Sequence, residues 1–296
     1  MKTPPITTDF RHDADIVHPN GHRSGVEPPS PALRAAFVLS WIAAALMLVA
    51  SAVGVFVEGL YTDQAWGREA FRGGDVITLV VAVPTLIAAL ALSARGSLRA
   101  QVVWIGMLAY TAYNYAYAVF GTRFNDVFLV HIAILSLSLF ALACSVPNLD
   151  REAIADALRS ERRAKLVGAF LVIVGVLQGA LWGFLIVRNA ITGEVLHDIP
   201  VAGQHLVFAL DLGFLMPLLI VAGVLLYRQR PIGYVLGAAM AVMGAIYQVN
   251  LMIAGVFQDR ADVAGVEAFP PEGILLTVTF LAAAMAILWG RRSPER

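Results

Sequence analysis

The sequence predicts an all-α polytopic membrane protein with eight transmembrane helices, and three observations carry that prediction. Of 296 residues, 59% are hydrophobic and only 14% are charged, and the mean hydropathy is +0.74. A soluble domain carries roughly a quarter charged residues, so an ordinary water-facing surface cannot be made from this chain. The apolar residues also fall into eight runs near 33–57, 76–94, 102–120, 127–146, 166–187, 206–227, 233–256 and 273–290. Each approaches the roughly 20 residues that a helix needs to cross a bilayer. The runs are too long and too continuous for barrel strands, and backbone groups in lipid must be satisfied within the segment, so helices follow.

Basic residues orient the spans. With both termini cytoplasmic, the inner segments hold Lys2, Lys165 and fourteen arginines, sixteen basic residues against nine acidic. The outer loops hold Arg68, Arg72, Arg123, Arg188 and Arg260, five basic residues against twelve acidic when Asp211 is counted with them. That asymmetry obeys the positive-inside rule and predicts an N-in, C-in protein of a cell (inner) membrane, with the bilayer as its first partner. The formal net charge of zero is a balance between two oppositely charged faces, and it gives no footing for a nucleic-acid partner.

Five parts follow in order. Residues 1–32 are proline-rich, without apolar periodicity, and read as a disordered cytoplasmic tail; His12, His18 and His22 there are solvated rather than metal-binding. Residues 33–146 form a first four-helix unit. Its first outer loop, TDQAWGREAFRGGD, reads as a short amphipathic helix capped by Thr62 and ended by Gly73–Gly74, after which Asp75 starts the second span. Residues 147–165 form a cytoplasmic linker helix capped by Asn148 or Asp150, with Arg162, Arg163 and Lys165 at its end. Residues 166–290 form a second four-helix unit, and 291–296 a cytoplasmic tail.

The two units echo one another. From Pro84 the chain reads PTLIAALALSAR and from Pro217 PLLIVAGVLLYR, agreeing at six of twelve positions. With four spans per unit the copies would run parallel, a tandem whose alternative is convergence of two Leu/Ala-rich helices. Pro84 and Pro217 should kink their helices. Gly168, Gly175, Gly179 and Gly183 form a small-residue stripe suited to close helix packing, within the monomer or, through Gly175, Gly179 and Gly183, in a homodimer.

Polar residues inside the spans gather toward the predicted outer side. Asp211 is the sharpest, since a carboxylate in a bilayer is costly and is usually kept for pairing or function. His131, Asn114, Asn250 and the tyrosine hydroxyls are its expected neighbours. Tyr110, Tyr113, Asn114 and Tyr117 share a helix face, and Tyr247 and Asn250 stand on another helix at the same depth. Together these predict a ligand-binding pocket, with Glu58, Asp75, Arg123 and His205 at its rim. Arg123 can also pair with Asp126, and Tyr61, Trp66 and Tyr115 fit an interfacial aromatic belt.

Several chemistries are excluded or unsupported. No GxxxxGK[ST], HExxH or GxSxG occurs, and the lone Cys144 allows neither an intramolecular disulfide nor a thiolate metal cluster. No span carries a lysine for a Schiff base. His131 and His205 are the sole candidates for a bis-histidine haem and His205 is peripheral, so neither cofactor nor metal is expected. The functional expectation is binding or transport of a small neutral or cationic, amphipathic molecule, with Asp211 as protonatable group. The alternatives are a membrane enzyme using Asp211 and His131 as acid and base on a lipid or isoprenoid at the outer leaflet, or a non-catalytic assembly subunit.

Overall fold

The computed structural model describes residues 30–193 and 201–289. The amino-terminal tail with its three histidines, and the tail from 291, lie outside the described residues. Among the described residues there are nine helices and no strand: α1 (Pro31–Phe56), α2 (Ala65–Ala94), α3 (Leu98–Gly121), α4 (Phe128–Ser145), α5 (Arg151–Leu158), α6 (Glu161–Thr192), α7 (Val201–Leu210 continuing to Tyr227), α8 (Pro231–Arg260) and α9 (Pro271–Leu288). Seven are long and apolar enough to cross a membrane, which makes this a multi-pass helical membrane protein. The eighth rod, α3, falls short because of Tyr110, Thr111, Tyr113, Asn114, Tyr115 and Tyr117. It is also among the most enclosed helices, over half of its residues being buried, so protein rather than lipid surrounds its polar face.

Local chemistry sets the helix ends. Ser30 accepts from Leu33 N (3.2 Å), Ser97 from Ala100 N (3.3 Å) and Asp150 from Ala153 N (2.9 Å), each satisfying an orphan amide of a first turn. Pro31, Pro231 and Pro271 occupy first-turn positions where a missing N–H costs nothing. Asp150, not Asn148, caps the linker helix. Arg162, Arg163 and Lys165 belong to the first two turns of α6 rather than to the end of α5. α5 turns Ile154, Ala155 and Leu158 inward beneath α3 and α8.

The first outer loop departs from its sequence reading. Thr62 caps nothing and Gly73–Gly74 end nothing, for α2 begins at Ala65 and runs unbroken through both glycines. Their cause is tertiary: a β-carbon at Gly73 would lie 2.8 Å from Ala254 Cα, and one at Gly74 3.2 Å from Asn250 Oδ1. The pair lets α8 press onto α2. Asp75 is therefore ten residues into a helix and buried, instead of capping one.

α3 and α8 cross at the centre of the bundle, where Gly106 meets Ala239 O and Val242 across a gap that only a hydrogen can fill. Around them α4 packs on α1 and α3, α9 on α8, and α6 lies along α7. Gly168 and Gly175 are spent in that last contact, against Gly223 O and Ile220; Gly179 touches Met216, and Gly183 has no neighbour within 4 Å.

Both predicted kinks take one form. In α2 the turn Thr78–Ala82 is π-helical, Val83 N–H reaching back to Thr78 O; in α7 Asp211–Leu215 is π-helical, Met216 N–H reaching Asp211 O. A proline stands two residues past the end of each, Pro84 and Pro217, where the missing N–H and the ring disfavour a regular turn. The correspondence keeps register. The π turns (78 and 211), the prolines, the helix ends (Ala94 and Tyr227) and the next helix starts (Leu98 and Pro231) are all 133 positions apart (217 − 84).

Candidate functional site

The chain reverses at each connection, so residues 57–64, 122–127 and 261–270 collect at one end of the bundle. That end is tied by Arg123 N–H to Asp63 Oδ1 (2.9 Å) and Gln258 Nε2 to Trp66 O (2.8 Å). The opposite end is tied by Ser30 Oγ to Asn148 Oδ1 (3.2 Å) and Arg163 to Trp289 O. A cavity of about 680 Å³ opens at the Asp63 end and descends between α2, α3, α4 and α6 to α9.

Two buried carboxylates line it. Asp211 sits on the first residue of the α7 π turn, buried, and takes hydrogen bonds from Tyr113 Oη on Oδ1 and from Trp182 Nε1 on Oδ2 (2.8 Å). Tyr117 Oη lies 3.4 Å from Tyr113 Oη, and the Tyr247 ring stands edge-on to Tyr113 at 5.1 Å. Asp75 is held separately. Tyr61 Oη donates to its Oδ2 at 2.6 Å, and Gly54 of α1 provides the room, since a β-carbon there would collide with the carboxylate. Neither acid has an ion-pair partner among the described residues.

The other expected residues divide between these centres. Asn114 and Asn250 meet across α3 and α8 at 3.5 Å, and Asn250 Oδ1 has no further partner. His131 is enclosed, 1% exposed, and stands edge-on to Tyr115 (5.6 Å) with Nδ1 unpartnered. It packs with Tyr115 and contributes none of the hydrogen bonds to Asp211. Tyr110 is wholly buried and its hydroxyl is also without a partner; it does not line the cavity.

Of the expected rim, only Arg123 fits. It is exposed at the mouth, its guanidinium on Thr62 O (3.3 Å) rather than on Asp126. Asp75 lies inside, while Glu58 and His205 are exposed and do not line the cavity. Tyr61 and Tyr115 are not belt residues either: both are buried in protein, and burial pushes the Tyr61 hydroxyl well above the usual phenol range.

The chain matches no family model, no curated protein and no solved structure. What the site does must come from its own chemistry.

Trp182 is the residue that the sequence did not disclose. It lies in an apolar helix where an indole reads as lipid-facing. One signal pointed to it: Gln178 is four residues earlier, so two hydrogen-bonding side chains share a face of α6, and both line the cavity. Five acids line the cavity as a whole (Asp63, Asp75, Asp211, Glu267 and Glu272) against one arginine, Arg123. With its aromatic walls, the cavity joins apolar surface to a lining in which acids outnumber bases.

Proposed function

We propose that the protein binds a small neutral or cationic, amphipathic molecule in this cavity and carries it through the membrane, with Asp211 as its charge-bearing and protonatable contact. The observation that carries the reading is Asp211 itself, a buried carboxylate with two neutral donors, no cation partner and an aromatic cavity at its side. Intramembrane acids in such settings mark substrate or proton paths.

In this reading all eight rods span a cell membrane, both termini are inside, and the cavity faces out. The sixteen-to-five distribution of basic residues supports that orientation. The two four-helix units form a parallel tandem, supported by the constant 133-residue register of π turns, prolines and helix ends. Asp211 and the Asp75 pocket then lie on equivalent helices about one turn apart in register. Such a pairing gives the cavity two walls of common origin and distinct chemistry.

The test uses tetraphenylphosphonium, a lipophilic cation, with purified protein in nanodiscs. Calorimetry is expected to show saturable binding that Asp211→Asn weakens by about tenfold or more. The variant should keep its helical circular dichroism, because the asparagine oxygen can still accept from Trp182 while its amide N–H donates to the Tyr113 hydroxyl. Equal affinity in the two proteins, or no saturable binding by the wild type, overturns the reading. The acid–base alternative finds less support, since His131 packs on Tyr115 while Asp211 is held by Tyr113 and Trp182.

A further inference from the structure

The hydroxyls of membrane helices usually donate to the carbonyl one turn back, and this protein follows that habit almost throughout. Ser40 donates to Ala36 O, Thr111 to Met107 O, Ser138 to Ile134 O and Ser145 to Ala141 O, all at 2.7 Å. Ser51, Thr78 and Ser93 break it, each being buried with a hydroxyl that makes no hydrogen bond. Ser93 stands alone near the far end of α2. Ser51 and Thr78 both stand beside Asp75.

They are joined there by two more orphans. Ser51 of α1 neighbours both the Asp75 carboxylate and Tyr115 of α3, Thr78 neighbours Tyr110, and both tyrosines stand within reach of the Asp75 charge. None of these four hydroxyls closes a hydrogen bond of good geometry, so they form a loose network, Ser51 turned toward Asp75 and Tyr115 and Thr78 toward Tyr110, and all four residues are nine-tenths buried or more. Tyr61 fixes the carboxylate from the cavity side at 2.6 Å. Arg72, one turn before Asp75, is the obvious counter-charge, but it turns to Glu69 at 3.8 Å. A buried carboxylate without a cation thus stands among four buried hydroxyls, of which Ser51 and Thr78 have turned away from their helix carbonyls.

The donor set names the ligand class. It consists of one carboxylate and neutral hydroxyl oxygens. Oxygen-only shells suit hard cations. A single negative charge balances a monovalent ion, whereas a calcium-like ion usually draws more than one carboxylate. Among the described residues no cluster of three His, Cys, Asp or Glu exists for a transition metal. We propose that Asp75, Ser51, Thr78, Tyr110 and Tyr115 form a binding site for a small monovalent cation, sodium, separate from the Asp211 centre. Gly54 is what lets α1 close over it, and the π turn that begins at Thr78 frees that side chain from the regular helix lattice.

The site stands whether or not the cavity carries a cargo, and its test uses none. Full-length protein in nanodiscs is titrated with NaCl against choline chloride at constant ionic strength, following thermal unfolding and binding of radioactive sodium. Sodium is expected to raise the melting temperature saturably where choline does not. Asp75→Asn should abolish the response, and Ser51→Ala and Tyr115→Phe should each weaken the apparent affinity about tenfold. Asp211→Asn should retain it. If Asp75→Asn fails to fold, the other two variants still decide. A melting temperature that ignores sodium but follows pH assigns the carboxylate a proton and overturns the cation site. So does a sodium response that Ser51→Ala and Tyr115→Phe leave unmoved, and so does an equal response to choline.

Discussion

Trp182 on α6 donates its indole N–H to Asp211 Oδ2 on α7 at 2.8 Å, and this bond joins a helix with little polar character to the most polar turn of its neighbour. Elsewhere the α6–α7 contact is made by small residues: Gly168 on Gly223, Gly175 on Met216 and Ile220. Removing the donor while keeping an aromatic ring isolates its contribution. Trp182→Phe is expected to lower unfolding stability by about 1 kcal/mol, the scale of interhelical hydrogen bonds in membranes. Chemical denaturation of the purified protein measures it. Combining Trp182→Phe with Asp211→Leu should cost less than the sum of the single changes, because both remove one bond.

The glycine stripe of α6 gives a second, internally controlled prediction. A β-carbon at Gly168 would lie 2.6 Å from Tyr227 N and 2.7 Å from Gly223 O, backbone atoms that cannot swing away. Gly168→Ala should therefore destabilise by about 1–3 kcal/mol through overpacking. Gly183 meets nothing within 4 Å, and alanine is the better helix former. Gly183→Ala should be neutral or stabilise by up to about 1 kcal/mol. Melting temperatures of the two variants in one detergent compare them directly. A loss at Gly183 equal to that at Gly168 would mean that a second copy of the chain occupies the open face.

The same stripe marks what sequence can and cannot reveal. Helix existence was legible because lipid compatibility needs only a run length, and the runs near 33–57 and 206–227 match α1 and α7, agreeing to within one residue at their carboxy-terminal ends. Asp211 was legible because a carboxylate stands out against apolar neighbours. Gly73–Gly74 before Asp75 was misread as a helix stop, since a glycine pair looks the same whether it ends a helix or admits another helix. The difference lies in Ala254 and Asn250, some 180 residues away. Trp182 was missed for a related reason: helix rotation decides whether an indole meets lipid or a carboxylate, and rotation is set by the whole bundle. Tyr61 and Tyr115, read as belt residues, were displaced inward by the same collective packing.

Ser40 and Trp104 supply a prediction far from the cavity. Both are wholly buried, and Trp104 Nε1 donates to Ser40 Oγ at 2.9 Å while that hydroxyl passes its own proton to Ala36 O at 2.7 Å. Ser40→Ala leaves the indole N–H without an acceptor in an apolar interior. The expected cost is about 1–3 kcal/mol, the penalty for a buried donor left unmade. Trp104→Phe removes donor and need together and should be milder in hydrogen-bonding terms, at the price of a smaller ring stacked on Phe37. Denaturation midpoints of the two variants separate these contributions.

Orientation is open to a labelling experiment because the chain has one cysteine, Cys144, which Cys144→Ser removes. Asp126 is exposed in the loop between α3 and α4, at the end where the cavity opens, and Asp156 is exposed on α5 at the opposite end. If the sixteen-to-five bias of basic residues predicted from the sequence sets the orientation, Asp126→Cys should react with an impermeant maleimide in intact cells. Asp156→Cys should react only after the membrane is opened. Neither change disturbs the core, since Asp156 makes only an exposed pair with Arg159 at 3.4 Å, a contact of little energetic weight. The reverse labelling pattern would turn the cavity toward the cytoplasm. Asp211 would then meet its ligand from inside the cell, so the labelling result decides from which side tetraphenylphosphonium has to be presented in a transport assay.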